Sequence, residues 1–459
     1  MTIRKLLTNK SGLTDMTEGN IFGHLIAFAL PLLIGNLFQQ FYNTVDTWVV
    51  GNYVSNEAFS AVGSVAPILN MLIGFFSGLA SGAGVVISQF YGAKQTDSIK
   101  RAVHTAFAIT LLMCVLLTSA GLIFMPFTLD LMNTPAEVRP ESTAYLTIYF
   151  AGISGMLIYN MGSGILRSVG DSKRPFYYLV AAAVINIVLD LVFVLVPFFD
   201  MGVRGVALAT VISQGVSALL VTATLIRTDT CVKYSPRLTA FDKDILLRTV
   251  KIGFPAALQM ALTAFSNIFV MSYINYFGAD CMSGWTAYTK IDQFMFLPMQ
   301  SLALAVTTFV GQNLGAGKYE RAKRGVTVSV LSSFAITAAI MVPVIIFAPS
   351  LTAFFNDKPE VVEYGVMLLR WISPFYILCC VNQIYAGALR GAGNSRVPML
   401  IMLCSFVLLR QLYLFIMSGF ICNEPLPIAM AYPVGWTICS VMIFIYYLRV
   451  GFGTGKNIG

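Results

Sequence analysis

Asp46 is an acidic residue inside an apolar run that begins near Ile21 and ends near Gly51. A carboxylate at the centre of a transmembrane helix costs about 2.5–3.5 kcal/mol even on the mildest insertion scales. Such a residue normally faces the interior of a helix bundle or a wet cavity, and it marks a path for ions or substrate. Asn43 lies about one turn earlier on the same helical face. The pattern favours a polar pocket, and a structural, hydrogen-bonded carboxyl is the alternative.

A second acidic residue, Asp190, lies in a later apolar run. Asn186 precedes it by one turn on the same face, and Thr210 in the next run could join them. Together with Asp46 these residues supply only oxygen ligands, which suit a proton or a hard cation such as Na⁺. We therefore predict an ion-coupling site formed by Asp46, Asn186, Asp190 and Thr210, which would be metal ligands only if the ion is Na⁺. A purely structural role for Asp190 is the alternative.

The second half of the chain carries its own charged residues deep in apolar runs, principally Asp292 and Arg410. We expect Arg410 to pair with a carboxylate such as Asp292, because an unpaired arginine at that depth is costly. Contact between Arg410 and a substrate anion is the alternative. The candidates for a substrate cleft are Gln39, Tyr42, Asn43, Asp292 and Arg410.

The elements that must position these residues are transmembrane helices. Hydrophobic residues make up 57% of the 459 residues and charged residues 11%, whereas an ordinary soluble domain is about 25% charged. A helix needs about 20 apolar residues to span a bilayer. Runs of that length are predicted at 23–50, 59–90, 102–126, 143–166, 175–196, 203–226, 247–276, 283–313, 325–348, 362–389, 397–419 and 427–448. The fold class is therefore all-α, an integral membrane protein with twelve transmembrane helices.

The basic residues predict the orientation of these helices. Most Lys and Arg residues fall in the loops on one side, together with both termini, whereas the opposite loops hold Arg139, Arg204 and Lys358. Because basic loops stay cytoplasmic, we predict a multi-pass protein of the plasma (inner) membrane with cytoplasmic N- and C-termini. This asymmetry also explains the net charge of +8, so that charge does not indicate a nucleic-acid partner.

The chain contains an internal repeat. The stretch from Gly164 to Pro175, with the pattern Leu-Arg-x-x-Gly-Asp-Ser, returns 223 residues later between Gly387 and Pro398 with Asn in place of Asp. We interpret this turn as a structural bend in which the Asp or Asn caps the next helix. Parallel repeats of six helices are typical of transporters, whose substrate site lies between the halves. The predicted segments are 1–20, a cytoplasmic N-terminus; 21–226, the first lobe; 227–246, a linker; 247–449, the second lobe; and 450–459, a tail.

The sequence gives little support for an enzyme or for a bound cofactor. The eight cysteines have neither metal-ligand spacing nor a disulfide pattern. The two histidines, His24 and His104, are too far apart in sequence to suggest a catalytic metal site. No nucleophile–base pair is recognisable in the apolar runs. We expect a transporter without a cofactor, and the duplication disfavours a channel.

Several stretches resemble the multidrug and toxic compound extrusion (MATE) transporters. They are Ala29-Leu30-Pro31, Gln40-x-Tyr42-Asn43-x-x-Asp46, the stretch from Gly202 to Thr210, Gln312-Asn313-Leu314-Gly315-Ala316 and the repeated Leu-Arg turn. The resemblance implies two parallel six-helix lobes that form a V-shaped bundle around a central cleft. It also implies export of amphipathic, mostly cationic compounds in exchange for H⁺ or Na⁺ by a protein expected to act as a monomer.

The resemblance also implies roles for individual residues. Asp46 matches the aspartate of the family's first helix, and Pro31 matches a proline associated with bending of that helix. Asn186, Asp190 and Thr210 match the polar cluster of the first lobe in the family's DNA-damage-inducible (DinF-like) branch. No Asp or Glu lies between Pro255 and Tyr276, which departs from the branch that carries acidic residues in the seventh helix. We therefore do not expect a sodium site there.

A lipid-linked oligosaccharide flippase, or another lipid flippase of the same superfamily, is the alternative function. Such a protein moves a phosphorylated lipid and would need several cationic residues in its cleft. The candidates for that role are Arg410 and Lys290, against the clear carboxylates Asp46 and Asp190. The sequence therefore favours an exporter of cations.

The predicted orientation is testable by labelling of single cysteines in intact cells. Cysteines introduced at Asp280 and Glu424 should react with a membrane-impermeant thiol reagent added outside, because both positions lie in loops assigned to the outer face. A cysteine at Lys233 in the linker should stay protected until the cells are opened. Protection of position 280 or 424 in intact cells would contradict the orientation.

Overall fold

The computed structural model describes residues 13–131, 134–196 and 201–452. Within these ranges the chain is built from helices joined by short turns and loops, with no β-strand. Most of the predicted N-terminal segment and most of the tail lie outside the described residues. The same holds for the basic residues Arg4, Lys5, Lys10 and Lys456, which contribute to the predicted orientation.

Twelve helices in the described ranges are long and apolar enough to cross a membrane. In chain order they are α1 Ile21–Tyr53, α2 Asn56–Gly92, α3 Thr96–Leu131, α4 Arg139–Ser168, α5 Lys173–Leu195, α6 Gly202–Arg227, α7 Lys243–Asn275, α8 Ala279–Gly315, α9 Tyr319–Ile346, α10 Pro359–Gly391, α11 Arg396–Ile421 and α12 Pro425–Val450. A short helix, Ala348–Ala353, follows α9, and a 3₁₀ turn, Pro236–Leu238, precedes α7. The predicted all-α membrane fold with twelve transmembrane helices is confirmed.

Most helices extend several residues beyond the predicted apolar runs, because hydropathy marks only the part of a helix that fits the hydrocarbon. Three of them are irregular, and one of these, α12, is interrupted only by a turn at Met430. Helix α10 is interrupted by the 3₁₀ turn Ser373–Phe375, where Pro374 has no N–H to donate. Helix α11 contains the π-helical segments Cys404–Leu409 and Met417–Ile421. Segments of this kind are frequent at functional sites, and the first ends directly before Arg410.

The chain forms two compact units. The first contains residues 13–15 and Leu30–Gly253, and the second contains Met16–Ala29 together with residues 254–452. Each unit has its own apolar core, with Phe76 and Leu157 buried in the first and Tyr376 in the second. The first nine residues of α1 therefore belong to the second unit, and the beginning of α7 belongs to the first. The lobe bounds predicted from the repeat stay a prediction.

The beginning of α7 packs against α2 within the first unit at two glycines. A Cβ atom on Gly82 would lie 2.5 Å from the Cα of Gly253, and one on Gly253 would lie 2.9 Å from the carbonyl oxygen of Leu79. No other residue could replace either glycine without separating the helices. This close approach attaches the start of α7 to the first unit.

The repeat seen in the sequence recurs in the backbone. Gly170 and Gly393, which are 223 residues apart, have φ angles of 84° and 87°. Asp171 follows the first glycine, and its Oδ1 accepts hydrogen bonds from the N–H groups of Lys173 (3.2 Å) and Arg174 (3.1 Å). Asn394 follows the second, and its Oδ1 accepts from the N–H of Val397 at 3.3 Å. The expected capping role of the Asp or Asn is confirmed in both halves.

The capping carboxyl of Asp171 is buried and also pairs with the Arg174 guanidinium at 3.4 Å. Burial raises the pKa of this carboxyl, whereas the N–H of Arg174 and its charge oppose that rise. We expect Asp171→Ala to destabilise the protein by about 1 kcal/mol, the usual cost of removing a helix cap. The melting temperature in detergent should fall for Asp171→Ala and fall less for Asp171→Asn, which keeps an acceptor. An unchanged melting temperature for the alanine variant would show that the Asp171 cap does not stabilise the protein.

Candidate functional site

The first unit brings Asp46 of α1 and Asp190 of α5 together. Asp46 is 9% exposed and Asp190 is 0% exposed. The two carboxyl groups are close enough to share a hydrogen bond. Two ionised carboxylates have no hydrogen to share, so this contact needs a proton on one of them or a cation between them. The sequence analysis assigned both residues to one site, and their carboxyl groups lie close together.

Several buried oxygen atoms around this contact have no hydrogen-bond donor among the described residues. They belong to both carboxyl groups, to the amide of Asn186 one turn before Asp190, and to the amide of Gln214 in α6. The atoms are Asp46 Oδ1, Asn186 Oδ1, Asp190 Oδ1 and Oδ2, and Gln214 Oε1. Buried polar atoms are normally hydrogen-bonded, so a group of orphaned acceptors needs an explanation. The arrangement offers these acceptors to a hydrogen-bond donor or to a cation.

The other residues predicted for the ion site and the substrate cleft differ in burial and in their hydrogen-bond partners. The hydroxyl of Thr210 donates to the carbonyl of Val206 in its own helix at 3.0 Å, which leaves its oxygen lone pairs for another partner. Tyr42 is buried and hydrogen-bonded to Gln39, and its phenol oxygen accepts from Nε2 of Gln214 at 3.3 Å. Asn43 is exposed. Tyr42 therefore lies near Asp46, and Gln39 contacts Tyr42.

Sequence reasoning missed Gln214 and the tyrosine of α4 that accompanies the carboxyl pair. Gln214 follows Thr210 by one turn on α6, and this spacing could have identified it. Tyr145 is 7% exposed and lies close to both Asp46 and Asp190. No sequence signal distinguishes it from the other tyrosines, because α4 is placed beside α1 and α5 only by tertiary packing.

The second unit contains a different polar cluster around Asp292 of α8. The hydroxyls of Tyr288, one turn earlier, and of Tyr376 in α10 both donate to Oδ1 of Asp292. The aromatic rings of Trp285, Tyr432 and Trp436 lie next to these tyrosines, with ring centroids 5.2 to 5.9 Å apart. Asp292 itself is half-buried. The carboxyl therefore has two donors and an aromatic surrounding.

Arg410 lies near this cluster but does not pair with the carboxyl. It is 2% exposed, and its Nη2 donates to Oγ of Ser266 at 2.8 Å and to Oδ1 of Asn267 at 2.9 Å. Its guanidinium carbon lies 4.8 Å from the ring centroid of Tyr432. Arg410 and Asp292, both within the described ranges, form no ion pair. The expected pairing is wrong, because neutral oxygens and an aromatic face stabilise the cation.

Pro31 lies inside α1 and is buried. A proline at this position cannot donate to the carbonyl of Ala27 one turn earlier, and its ring weakens the helix there. The two units divide α1 between Ala29 and Leu30, so Pro31 is the second residue after the division. Pro255 has the corresponding position in α7, which is divided between Gly253 and Phe254.

A protein-family model described as MatE matches this chain twice, over residues 31–192 and 255–416. The two matches begin 224 residues apart, at Pro31 and Pro255, so each half of the chain corresponds to one copy of the family model. Together they cover more than two thirds of the sequence.

Comparisons with individual proteins agree with this match. The chain is 29% identical over 436 residues to the probable multidrug resistance protein YoeA of Bacillus subtilis, and the alignment covers 94% of each chain. Its fold is similar to crystal structures of MATE in the bent conformation, with a TM-score of 0.89 and 21% identity, and in the straight conformation, with a TM-score of 0.88 and 22% identity. These similarities cover 96% of this chain and 97% and 98% of the two solved chains.

Proposed function

The chain belongs to the MatE family of multidrug efflux transporters, and we propose that it is a secondary antiporter that exports amphipathic, cationic compounds in exchange for H⁺ or Na⁺. Members of this family are transporters rather than enzymes. The observation that carries the proposal is the cluster of orphaned oxygen atoms around Asp46 and Asp190 inside the membrane-spanning helices. We place the protein in the plasma membrane as a monomer with both termini in the cytoplasm.

The cluster gives a physical basis for exchange. When both carboxyl groups are ionised, their charges attract a cationic substrate and repel each other. Binding of a proton removes one negative charge and supplies the hydrogen that the contact between Asp46 and Asp190 needs. Substrate and proton thus favour different states of the same site, and each shifts the protein toward the conformation that it binds better. Antiport follows because both cannot be held at once.

A sodium ion could act on the same oxygens. Carboxylate and amide oxygens from Asp46, Asn186 and Asp190 are ligands that hard cations prefer, and the Gln214 oxygen adds one that the sequence did not suggest. Thr210 could contribute its remaining lone pairs. The coupling ion is identified by measuring uptake of a fluorescent cation by everted vesicles, first under a pH gradient alone and then under a sodium gradient alone.

The second unit suggests where part of the substrate binds. A half-buried carboxylate beside aromatic rings is a chemically suitable site for an organic cation, because rings and carboxylate both attract positive charge. We assign this role to Asp292, with Tyr432 nearby. Gln39, Tyr42 and Asn43 are proposed to contact substrate from the first unit. Arg410 is proposed to orient Tyr432, since its guanidinium already has Ser266 and Asn267 as partners.

The lipid-flippase alternative is less well supported by these contacts. A phosphorylated lipid would require cationic side chains that are available to the phosphate. The Arg410 guanidinium is 2% exposed and hydrogen-bonded within the protein. Lys290 is exposed, but a single lysine is a weak basis for selecting a lipid phosphate.

The first test of this function removes the coupling carboxylates. Asp46→Asn or Asp190→Asn should reduce gradient-driven efflux by reconstituted protein to the level of protein-free vesicles, because an amide cannot bind the coupling proton. Asp229→Asn makes the same chemical change at an exposed linker residue and should transport normally. Asp292→Asn should keep gradient-driven transport but raise KM for cationic substrates. Efflux that survives the double variant Asp46→Asn/Asp190→Asn would refute the coupling assignment.

The second test concerns bending of α1 at Pro31. MATE crystal structures exist in bent and in straight conformations, and a proline inside a helix is a common cause of a kink. Pro31→Ala should restore the hydrogen bond to the Ala27 carbonyl and stiffen the helix, so transport should fall several-fold with normal insertion and expression. Pro343→Ala, at an exposed proline inside α9, is the matched control. Wild-type efflux by Pro31→Ala would exclude this bend from the mechanism.

A further inference from the structure

The segment that precedes α1 is held by side chains of the second unit through its main chain. We name residues 16–19 the strap. The N–H of Met16 donates to Oε1 of Gln312 at 3.0 Å, and the Met16 carbonyl accepts from Nε and Nη2 of Arg321, each at 3.2 Å. Asn313 Nδ2 also donates to this carbonyl at 3.3 Å. Met16 is 0% exposed.

The hydrogen bonds continue along the next two residues of the strap. Lys318 Nζ donates to the Thr17 carbonyl at 3.0 Å, and Nη2 of Arg321 donates to the Glu18 carbonyl at 2.9 Å. Arg321 is itself placed by the ring of Phe309, whose centroid lies 5.5 Å from the guanidinium carbon. We name Gln312, Asn313, Lys318 and Arg321 the cradle. Because the cradle bonds mainly to main-chain groups, it recognises the backbone of the strap rather than particular side chains.

A short and rigid connection joins the strap to α1. Gly19 has a φ of 78°, which directs the chain into the helix. Asn20 then caps the helix, since its Oδ1 accepts from the N–H of Gly23 at 2.9 Å. Nε2 of His24 lies 2.7 Å from the Glu18 carbonyl, so the first turn of the helix is also bonded to the strap. A displacement of the strap is therefore transmitted directly to the start of α1.

The other half of the chain has a comparable arrangement within the first unit. Asp242, which directly precedes α7, donates its N–H to Oγ1 of Thr105 at 3.0 Å and accepts from Nη1 of Arg101 at 3.0 Å. Its Oδ1 also accepts from the N–H of Ile245 at 3.1 Å, which caps α7. The first helix of each half is thus attached at its start by a segment that binds polar side chains.

We propose that the cradle is a clamp that holds the main chain of the strap and so fixes the start of α1 during transport. Gln312 and Arg321 are then positioning residues: they touch neither ion nor substrate, and they set the fixed end of the helix that carries Asp46. The start of α1 is then fixed to the second unit, and the remainder of the helix belongs to the first unit. Any change in the direction of this helix must therefore occur where these two parts of α1 meet, beside Pro31. The proposal rests on the proposed function only in assuming that α1 bends during transport. It also gives a role to the Gln312-Asn313 motif, which ion coupling does not use.

Hydrogen–deuterium exchange of the purified, full-length protein tests the clamp without reference to any ion or substrate. Gln312→Ala and Arg321→Ala should each accelerate exchange in the peptide that covers residues 16–19 by about tenfold, because each variant removes hydrogen bonds to the strap. Arg321→Lys keeps the charge but cannot donate to the Met16 carbonyl from two nitrogens, and it should have a smaller effect. Arg324→Ala removes the same charge one turn away, at an exposed position, and should exchange as wild type. Unchanged exchange in both Gln312→Ala and Arg321→Ala would overturn the clamp.

Transport kinetics on the same variants test the positioning role. The maximal rate of efflux should fall several-fold in Gln312→Ala and Arg321→Ala while KM for a fluorescent cation stays unchanged, since the binding residues are intact. Arg324→Ala should match wild type in both values. If either variant does not fold, Lys318→Ala, which removes the donor to the Thr17 carbonyl, gives the same comparison. Faster exchange together with a wild-type maximal rate would overturn the positioning role and would leave the assignment of Asp46 and Asp190 untouched.

Discussion

The contact between the carboxyl groups of Asp46 and Asp190 is the interaction on which the proposed exchange depends. Two unit charges about 4 Å apart repel by about 4 kcal/mol at an effective dielectric constant of 20, which is a large fraction of the stability of a typical protein. The helices that hold the two residues together therefore carry a destabilising term whenever both are ionised. A bound proton or cation removes that term. In the proposed mechanism, the conformational preference of the first unit is linked to ion binding through this pair of side chains.

The second unit shows the opposite arrangement on a related backbone. Asp292 has two phenol donors, and Arg410 has a hydroxyl, an amide oxygen and an aromatic ring. Polar networks whose members have partners hold their side chains in defined positions. The cluster of the first unit instead has acceptors without donors on Asn186 and Gln214. The repeated halves thus share helices and turns but differ in which side chains have partners.

The sequence was sufficient for the features that depend on local spacing and on hydropathy. Twelve apolar runs identified the twelve helices, and a spacing of four residues placed Asn186 and Asp190 on one face. The prediction that Asp46 and Asp190 share one site went beyond local spacing, since their proximity depends on how α1 packs against α5. The expected pairing of Arg410 with Asp292 was wrong because a buried guanidinium can also be stabilised by neutral partners. Here Ser266, Asn267 and Tyr432 together have that role.

The position of Pro31 relative to Asp46 explains why a fixed start of α1 matters for coupling. Asp46 follows Pro31 by 15 residues, which is about 22 Å along a helix at 1.5 Å per residue. A change of about 10° in helix direction at Pro31 therefore moves Asp46 by about 4 Å, more than the length of a hydrogen bond. A small bend is enough to separate the Asp46 carboxyl from that of Asp190 and to remove the need for a shared proton. If the start of α1 could slide, the helix could bend without separating the two carboxyl groups. The proposed clamp on the strap prevents that sliding, so a bend at Pro31 moves Asp46 relative to Asp190.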